Sequence, residues 1–310
     1  MDWYENYKER LTHVYAAAER TIAGYPAPLD QVGLAYADKF HPVKHDKGQN
    51  FICMLLPYWM KDVAGITDEQ CDKLALTNVY LMLYYFIQDD VMDDGPASDV
   101  KEKLALGNLL YSEMLSISRT LFPSHSSYWD YYAKYKRIWA SSVVNESSSN
   151  YFLADPIQIA HKAGPVKIAS SGALLLGGKE ELIPTTDEAV DIALMTLQMA
   201  DDWVDWKKDM QECSYNSLIA MIEASLQPDA SITEDIVSTY IYVRCCMNDY
   251  VEVARSQHMH LLSLKSQLPE LENYNQYILD HLTQTAESIE SNRERMKKGG
   301  LNYFFEKQGR

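Results

Sequence analysis

The sequence predicts an all-α fold, on three observations. Glycine and proline are sparse, at 13 and 11 of 310 residues, and they fall in a few clusters. The segments between those clusters are long and rich in Leu, Ala, Met, Glu and Lys, without the β-branched alternation and Asn-Gly turns of strands. Two stretches, 74–87 and 192–200, are apolar on nearly every side, which is the pattern of a helix enclosed by other helices.

The breakers lie at Gly24 to Pro28, Gly95-Pro96, Gly164-Pro165, Gly177-Gly178, Pro228 and Gly299-Gly300. They divide the chain into helices expected over 3–23, 49–64, 68–93, 99–121, 126–153, 156–177, 187–210, 214–226, 232–266 and 270–297. Thr67-Asp68-Glu69-Gln70 reads as a helix start, with Thr as N-cap and Gln at the third helical position. No low-complexity linker interrupts the chain, so residues 1–310 are expected to form a single domain.

Composition narrows the function. A net charge of −16 and a pI near 4.9 lack the basic footprint of a nucleic-acid binder. The five cysteines form no CxxC pair and suggest reduced, mostly buried thiols. The N-terminus carries no signal-peptide pattern, and the longest apolar run, Val79 to Ile87, is too short to span a bilayer. A cytoplasmic protein without a transmembrane segment is the expectation.

Both apolar helices run directly into acidic clusters. The first is Asp89-Asp90-Val91-Met92-Asp93-Asp94, where Asp89/Asp93 and Asp90/Asp94 pair one turn apart. The second runs from Asp201 to Asp209, and its Asp201, Asp205 and Asp209 form a stripe at i, i+4 and i+8. Like charges at these spacings repel, and carboxylates at the end of a buried helix need a compensating cation or good solvation. A single DDxxD run is common on solvated helix faces; two of them, each following an apolar helix, point to hard-cation chemistry such as Mg²⁺. Other metal readings fit worse. An EF-hand would need an oxygen ligand at Met92 and Glu at Lys101, no His has Glu three residues before it as di-iron bundles require, and His258-Met259-His260 stands alone.

These residues resemble those of a known superfamily. Phe86 to Asp94 is similar to the first Asp-rich motif of trans-prenyl diphosphate synthases and class I terpene synthases. Leu197 to Asp205 resembles the second motif of the prenyl synthases and, read on to Asp209, the metal motif of terpene synthases with Asp at all three ligand positions. His161-Lys162-Ala163-Gly164 resembles the Lys-Thr-Gly segment of prenyl synthases. The resemblance implies the isoprenoid-synthase helical bundle with a central active-site cavity. It implies three Mg²⁺ ions, replaceable by Mn²⁺, on Asp89, Asp90, Asp93 and Asp94 and on Asp201, Asp205 and Asp209. It further implies diphosphate contact by Lys162, substrate contact by Gln198 and, from the C-terminal tail, by Arg295, and a homodimer.

The departures from the family pattern bear on the reaction. Chain-elongating synthases carry an Arg pair shortly after the first motif and a Gly-Lys…Arg stretch near the N-terminus. Here the corresponding segments, Gly95 to Lys101 and Lys44 to Asn50, contain no Arg. A second diphosphate calls for several fixed cations, preferably guanidinium groups. The expectation is therefore a terpene synthase that ionises one linear prenyl diphosphate of C15–C20 or longer and cyclises the cation, with a trans-prenyltransferase or polyprenyl diphosphate synthase as the alternative and a non-catalytic helical partner as a third reading. Tyr85, one turn before Asp89, is the aromatic residue best placed to line a cavity, and Lys207 and Lys208 are read as counter-charges for the acidic stripe.

Overall fold

A computed structural model describes residues 2–44, 51–93, 99–146, 150–227 and 230–308, with side chains described for all of these except 2, 93 and 300–308. Among the described residues every regular element is helical. The principal α-helices are α1 (Lys8–Ile22), α2 (Leu29–Asp38), α3 (Phe51–Trp59), α4 (Asp68–Asp93), α5 (Val100–Leu121), α6 (Tyr128–Val144), α7 (Lys167–Leu176), α8 (Ile183–Glu212), α9 (Ser217–Ala224), α10 (Glu234–Tyr242), α11 (Met247–Ser263) and α12 (Pro269–Gln308). None is long and apolar enough to cross a membrane.

The chain divides into two compact units. One comprises Met1–Trp139, Ala163–Val190 and Ser266–Leu271; the other comprises Ala140–Lys162, Asp191–Lys265 and Glu272–Arg310. In the first, α4 is the central element and packs against α1, α3, α5 and α7. That enclosure is the reason for its all-round apolar sequence: Leu74, Ala75, Val79, Tyr80, Leu81, Met82, Leu83 and Ile87 are all buried. Its start is fixed by the expected capping box. The Thr67 amide donates to Gln70 Oε1 at 2.9 Å, and the Gln70 amide donates to Thr67 Oγ1 at 3.3 Å. In the second unit, the apolar part of α8 is buried from Ile192 to Thr196 and again at Met199 and Ala200.

Several features differ from the pattern read in the sequence; among them, the helix expected over 126–153 ends at Val144. The segment after Pro28 forms a helix, α2, where none was expected. It is short, and Gly33 in its middle weakens its intrinsic propensity, but the same glycine lets it press into the core. A Cβ there would stand 2.6 Å from Ile22 Cγ2 and 3.0 Å from Leu106 Cδ1. The region 156–177 divides into a 3₁₀ stretch, Pro156–Val166, and α7, because Pro165 lacks the N–H that a continuous α-helix would use. The region 232–266 divides into α10 and α11 at Cys245, whose φ of 57° lies in the left-handed region.

Tight packing in the first unit gives a test. At Gly177, which ends α7, an added Cβ would lie 1.9 Å from the backbone oxygen of Ala64. Neither backbone can yield without displacing a helix end. Gly177→Ala is expected to cost more than about 3 kcal/mol in denaturant unfolding. Gly164→Ala, where a Cβ meets nothing within 4 Å, should stay within about 0.5 kcal/mol of wild type.

Candidate functional site: two acidic helix ends

The first acidic cluster is the C-terminal turn of α4. Asp89 is exposed, Asp90 is half-buried and Asp93 is the last helical residue, while Asp94 lies outside the described residues. A helix C-terminus carries partial negative charge, so acids are least favoured there and cations most favoured. The last turn of α4 contains no basic residue. Lys103, from the first turn of α5, supplies one: its Nζ lies 3.9 Å from Asp90 and 3.4 Å from Asp99, with the side chain only 15% exposed. Asp99 and Lys103 stand four apart, a spacing that could have been read as an ion pair in the sequence.

Just below this cluster the same helix carries aromatic rings. Tyr85 lies against Trp139 of α6 at 4.7 Å between centroids and against Tyr84 at 5.1 Å. Its hydroxyl is buried without a hydrogen-bond partner, and burial pushes its pKa up. Tyr84 in turn leans on Tyr111 of α5.

The second cluster lies near the C-terminal end of α8, and its four aspartates have different roles. Asp202 is buried and fully engaged. It accepts hydrogen bonds from the Ser217 amide at 2.8 Å, from Gln198 Nε2 at 2.8 Å and from Ser217 Oγ. The Ser217 hydroxyl also meets Tyr250, which reaches the Met199 carbonyl at 3.2 Å. Asp202 thus pins α8 to the N-terminal end of α9, where exposed amides favour an anion.

Asp201, Asp205 and Asp209 make up the stripe. Burial, then the negative charges of Asp205 and Asp209, raise the Asp201 carboxyl from its ordinary 3.8 to about 6, against the opposing pull of Lys208 and Lys162. Burial likewise raises Asp209, which accepts a 2.8 Å hydrogen bond from Asn216 Nδ2. Asn216 also donates to the Asp202 carbonyl at 2.7 Å, and its own Oδ1 caps α9 by accepting from Leu218 and Ile219. The sequence reading passed over Asn216 and Ser217. Their signal is an Asn-Ser pair just before the apolar run Leu218-Ile219-Ala220, a helix-capping pattern.

The remaining candidates fall as follows. Lys162 sits in the 3₁₀ stretch and forms an ion pair with Glu146, just past the end of α6. The Gln198 amide is committed to Asp202. Arg295 is exposed on α12 and bonds Asn292. Lys208 does act on the stripe as a counter-charge, but Lys207 does not serve that purpose; it pairs with Glu234 at 2.8 Å and lies over the Trp206 ring.

Among the described residues, no three His, Cys, Asp or Glu side chains converge into a complete metal cage. The donor chemistry of the stripe nevertheless fits a small hard cation. Its carboxylates repeat at about 5–6 Å and repel one another. Mg²⁺ characteristically takes one or two protein carboxylates and completes its shell with water and phosphate oxygens.

The chain shares the all-helical fold of a solved isoprenoid synthase. Among solved structures, T. brucei farnesyl diphosphate synthase (FPPS) in complex with 2-(5-chlorobenzo[b]thiophen-3-yl)acetic acid matches with a TM-score of 0.61. The match covers 89% of this chain and 99% of that chain at 13% sequence identity, so the likeness is one of fold. No family model and no curated protein matches the sequence.

Adjacent aspartates should respond to substitution with opposite signs. Between pH 3.8 and about 6 the folded chain keeps a proton on Asp201 that the unfolded chain has lost, so stability falls as pH rises through that window. With EDTA present at pH 7.5, Asp201→Asn is expected to stabilise the protein, by up to roughly 3 kcal/mol, and to lessen the decline in Tm between pH 4 and 6, part of which remains because burial also raises Asp202 to about 6. Asp202→Ala, which strands three buried donors, should cost about 2–4 kcal/mol with or without Mg²⁺. Thermal melts of the three proteins across pH check both.

Proposed function

We propose that this protein is an enzyme that ionises a linear prenyl diphosphate, with residues 1–310 acting as one catalytic domain. The observation that carries the reading is the Asp201/Asp205/Asp209 stripe: three mutually repelling carboxylates, with Asp201 raised to about 6, at a helix end that a divalent cation and an anionic ligand would satisfy together. Asp201, Asp205 and Asp209 would hold Mg²⁺, and so would Asp89, Asp90 and Asp93, with Asp94 beside them. When bound, Mg²⁺ supplies Lewis-acid charge to the leaving diphosphate.

The rest falls to the chain's own groups. Lys162, whose positive charge acts on Asp201, donates N–H bonds to the diphosphate as negative charge builds on it. Lys103 restrains Asp90. Tyr85 and Trp139 present apolar ring faces that exclude water and tolerate a carbocation. Lys162 is the preferred diphosphate contact ahead of Arg295, whose guanidinium is exposed and engaged with Asn292.

Two fates of the allylic cation have support. The likeness to a farnesyl diphosphate synthase supports transfer to an acceptor, as in a prenyltransferase. The lack of Arg in Gly95 to Lys101 and in Lys44 to Asn50 supports cyclisation from a single diphosphate.

Purified protein incubated with geranyl, farnesyl, geranylgeranyl and longer prenyl diphosphates, with and without isopentenyl diphosphate, separates these by mass analysis. A longer linear diphosphate formed only with isopentenyl diphosphate identifies the transferase; a cyclic hydrocarbon or alcohol from one substrate identifies the cyclase. Either product should vanish with EDTA. Asp89→Asn and Asp201→Asn should each lower kcat by roughly 100-fold or more, the scale of losing one electrostatic stabiliser. Full activity in both variants would overturn the proposed role of the two clusters, and no turnover of any of these substrates by the wild-type protein would leave the non-catalytic reading in place.

A further inference from the structure

Lys162 is held before any substrate arrives. Its ammonium pairs with Glu146, and the two side chains are only 29% and 23% exposed, so water screens the contact less than it screens a surface pair. Glu146 follows the last turn of α6, and Lys162 lies on the 3₁₀ stretch that leads to α7. The two are distant in sequence, so the fold creates the pair. Glu146 has a defined setting: its charge is felt by Tyr151 and Tyr215, which stack on each other at 4.4 Å and an interplanar angle of 19°. Tyr215 is in turn tied to the backbone amide of Phe152 and to Asn150. The same lysine also acts on Asp201. Its one positive charge is paired with an internal carboxylate and also acts on the acidic stripe.

We infer that Glu146 is a positioning residue acting through Lys162, an internal counter-anion that competes with diphosphate for the lysine and so promotes diphosphate release. The inference rests on the proposed role of Lys162 in diphosphate binding. An ammonium has three donors but a single charge. A diphosphate that recruits Lys162 must do so beside a carboxylate of the same sign as itself. That repulsion weakens the bound state, and Glu146 reclaims the lysine when the diphosphate departs. Substrate and released diphosphate are both opposed. An enzyme limited by product release gains turnover from such an arrangement, at the expense of affinity.

The test is titration of inorganic pyrophosphate into the full chain with excess Mg²⁺, by calorimetry, for wild type, Glu146→Gln, Glu146→Asp, Lys162→Met and the Lys162→Met/Glu146→Gln pair. Glu146→Gln keeps the shape and removes the charge; it should tighten pyrophosphate binding by about three- to tenfold and lower both KM and kcat for the prenyl diphosphate. Glu146→Asp, which keeps the charge, should stay near wild type. The Gln effect should disappear in the Lys162→Met background. Unchanged or weaker binding by Glu146→Gln, or an equal effect without Lys162, overturns the inference while leaving diphosphate chemistry intact. A wild-type protein that binds no Mg²⁺-pyrophosphate overturns both this inference and the function on which it rests.

Discussion

Electrostatic conflict among crowded carboxylates organises both acidic segments. The peptide dipoles add partial negative charge at the end of α4, where the first cluster lies, and at Asp209 in the last turn of α8, and neither helix has a basic residue in its last turn. Each end meets the conflict with cations from outside its last turn. Lys103 reaches α4 from the following helix. At α8, Lys208 comes from the stripe's own helix and Lys162 from the 3₁₀ stretch. These single charges oppose only part of the effect of burial and of the neighbouring Asp205 and Asp209 charges, which leave the Asp201 carboxyl raised to about 6. What remains is an attraction for further positive charge that local packing has not relieved.

That attraction would be useless on a helix end free to fray. The second cluster is anchored by the aspartate that takes no part in the stripe. Asp202 joins Gln198, Ser217 and, through the Ser217 hydroxyl, Tyr250, while Asn216 ties Asp209 to the cap of the next helix. Burial raises both neighbouring carboxyls to about 6, but at Asp202 the donors of Ser217 and Gln198 oppose the rise, whereas at Asp201 the charges of Asp205 and Asp209 add to it. The difference follows from the helix itself, since successive side chains point about 100° apart.

Much of this was legible in the sequence because it depended on local spacing. The capping box at Thr67 and Gln70, the enclosed apolar run of α4 and the i, i+4, i+8 stripe are patterns within one segment, and the structure contains each of them. The features that escaped were decided by tertiary packing. Helix α2 exists because Gly33 fits against Ile22 and Leu106, a benefit that propensity does not register. Lys207 and Lys208 look equivalent in sequence, yet Glu234 takes one of them. The role of Asp202 required knowing that Ser217 returns beside it. Glu146 sits in an unremarkable stretch and acquires meaning only from its contact with Lys162.

The bonds around Asp202 also bear on how quickly an ion can come and go. Many metal sites form only as their ligands gather, and the ion must then order the chain as it binds. Here the turn between α8 and α9 is already closed by Asn216, Ser217 and Asp202. An entering cation would find its backbone support in place, so the barrier to loading would come mainly from stripping water off the ion. On the proposed role of the stripe, loading and unloading would follow the dehydration rate of the cation, and Mg²⁺, which gives up its water reluctantly, would exchange there slowly without any movement of the fold.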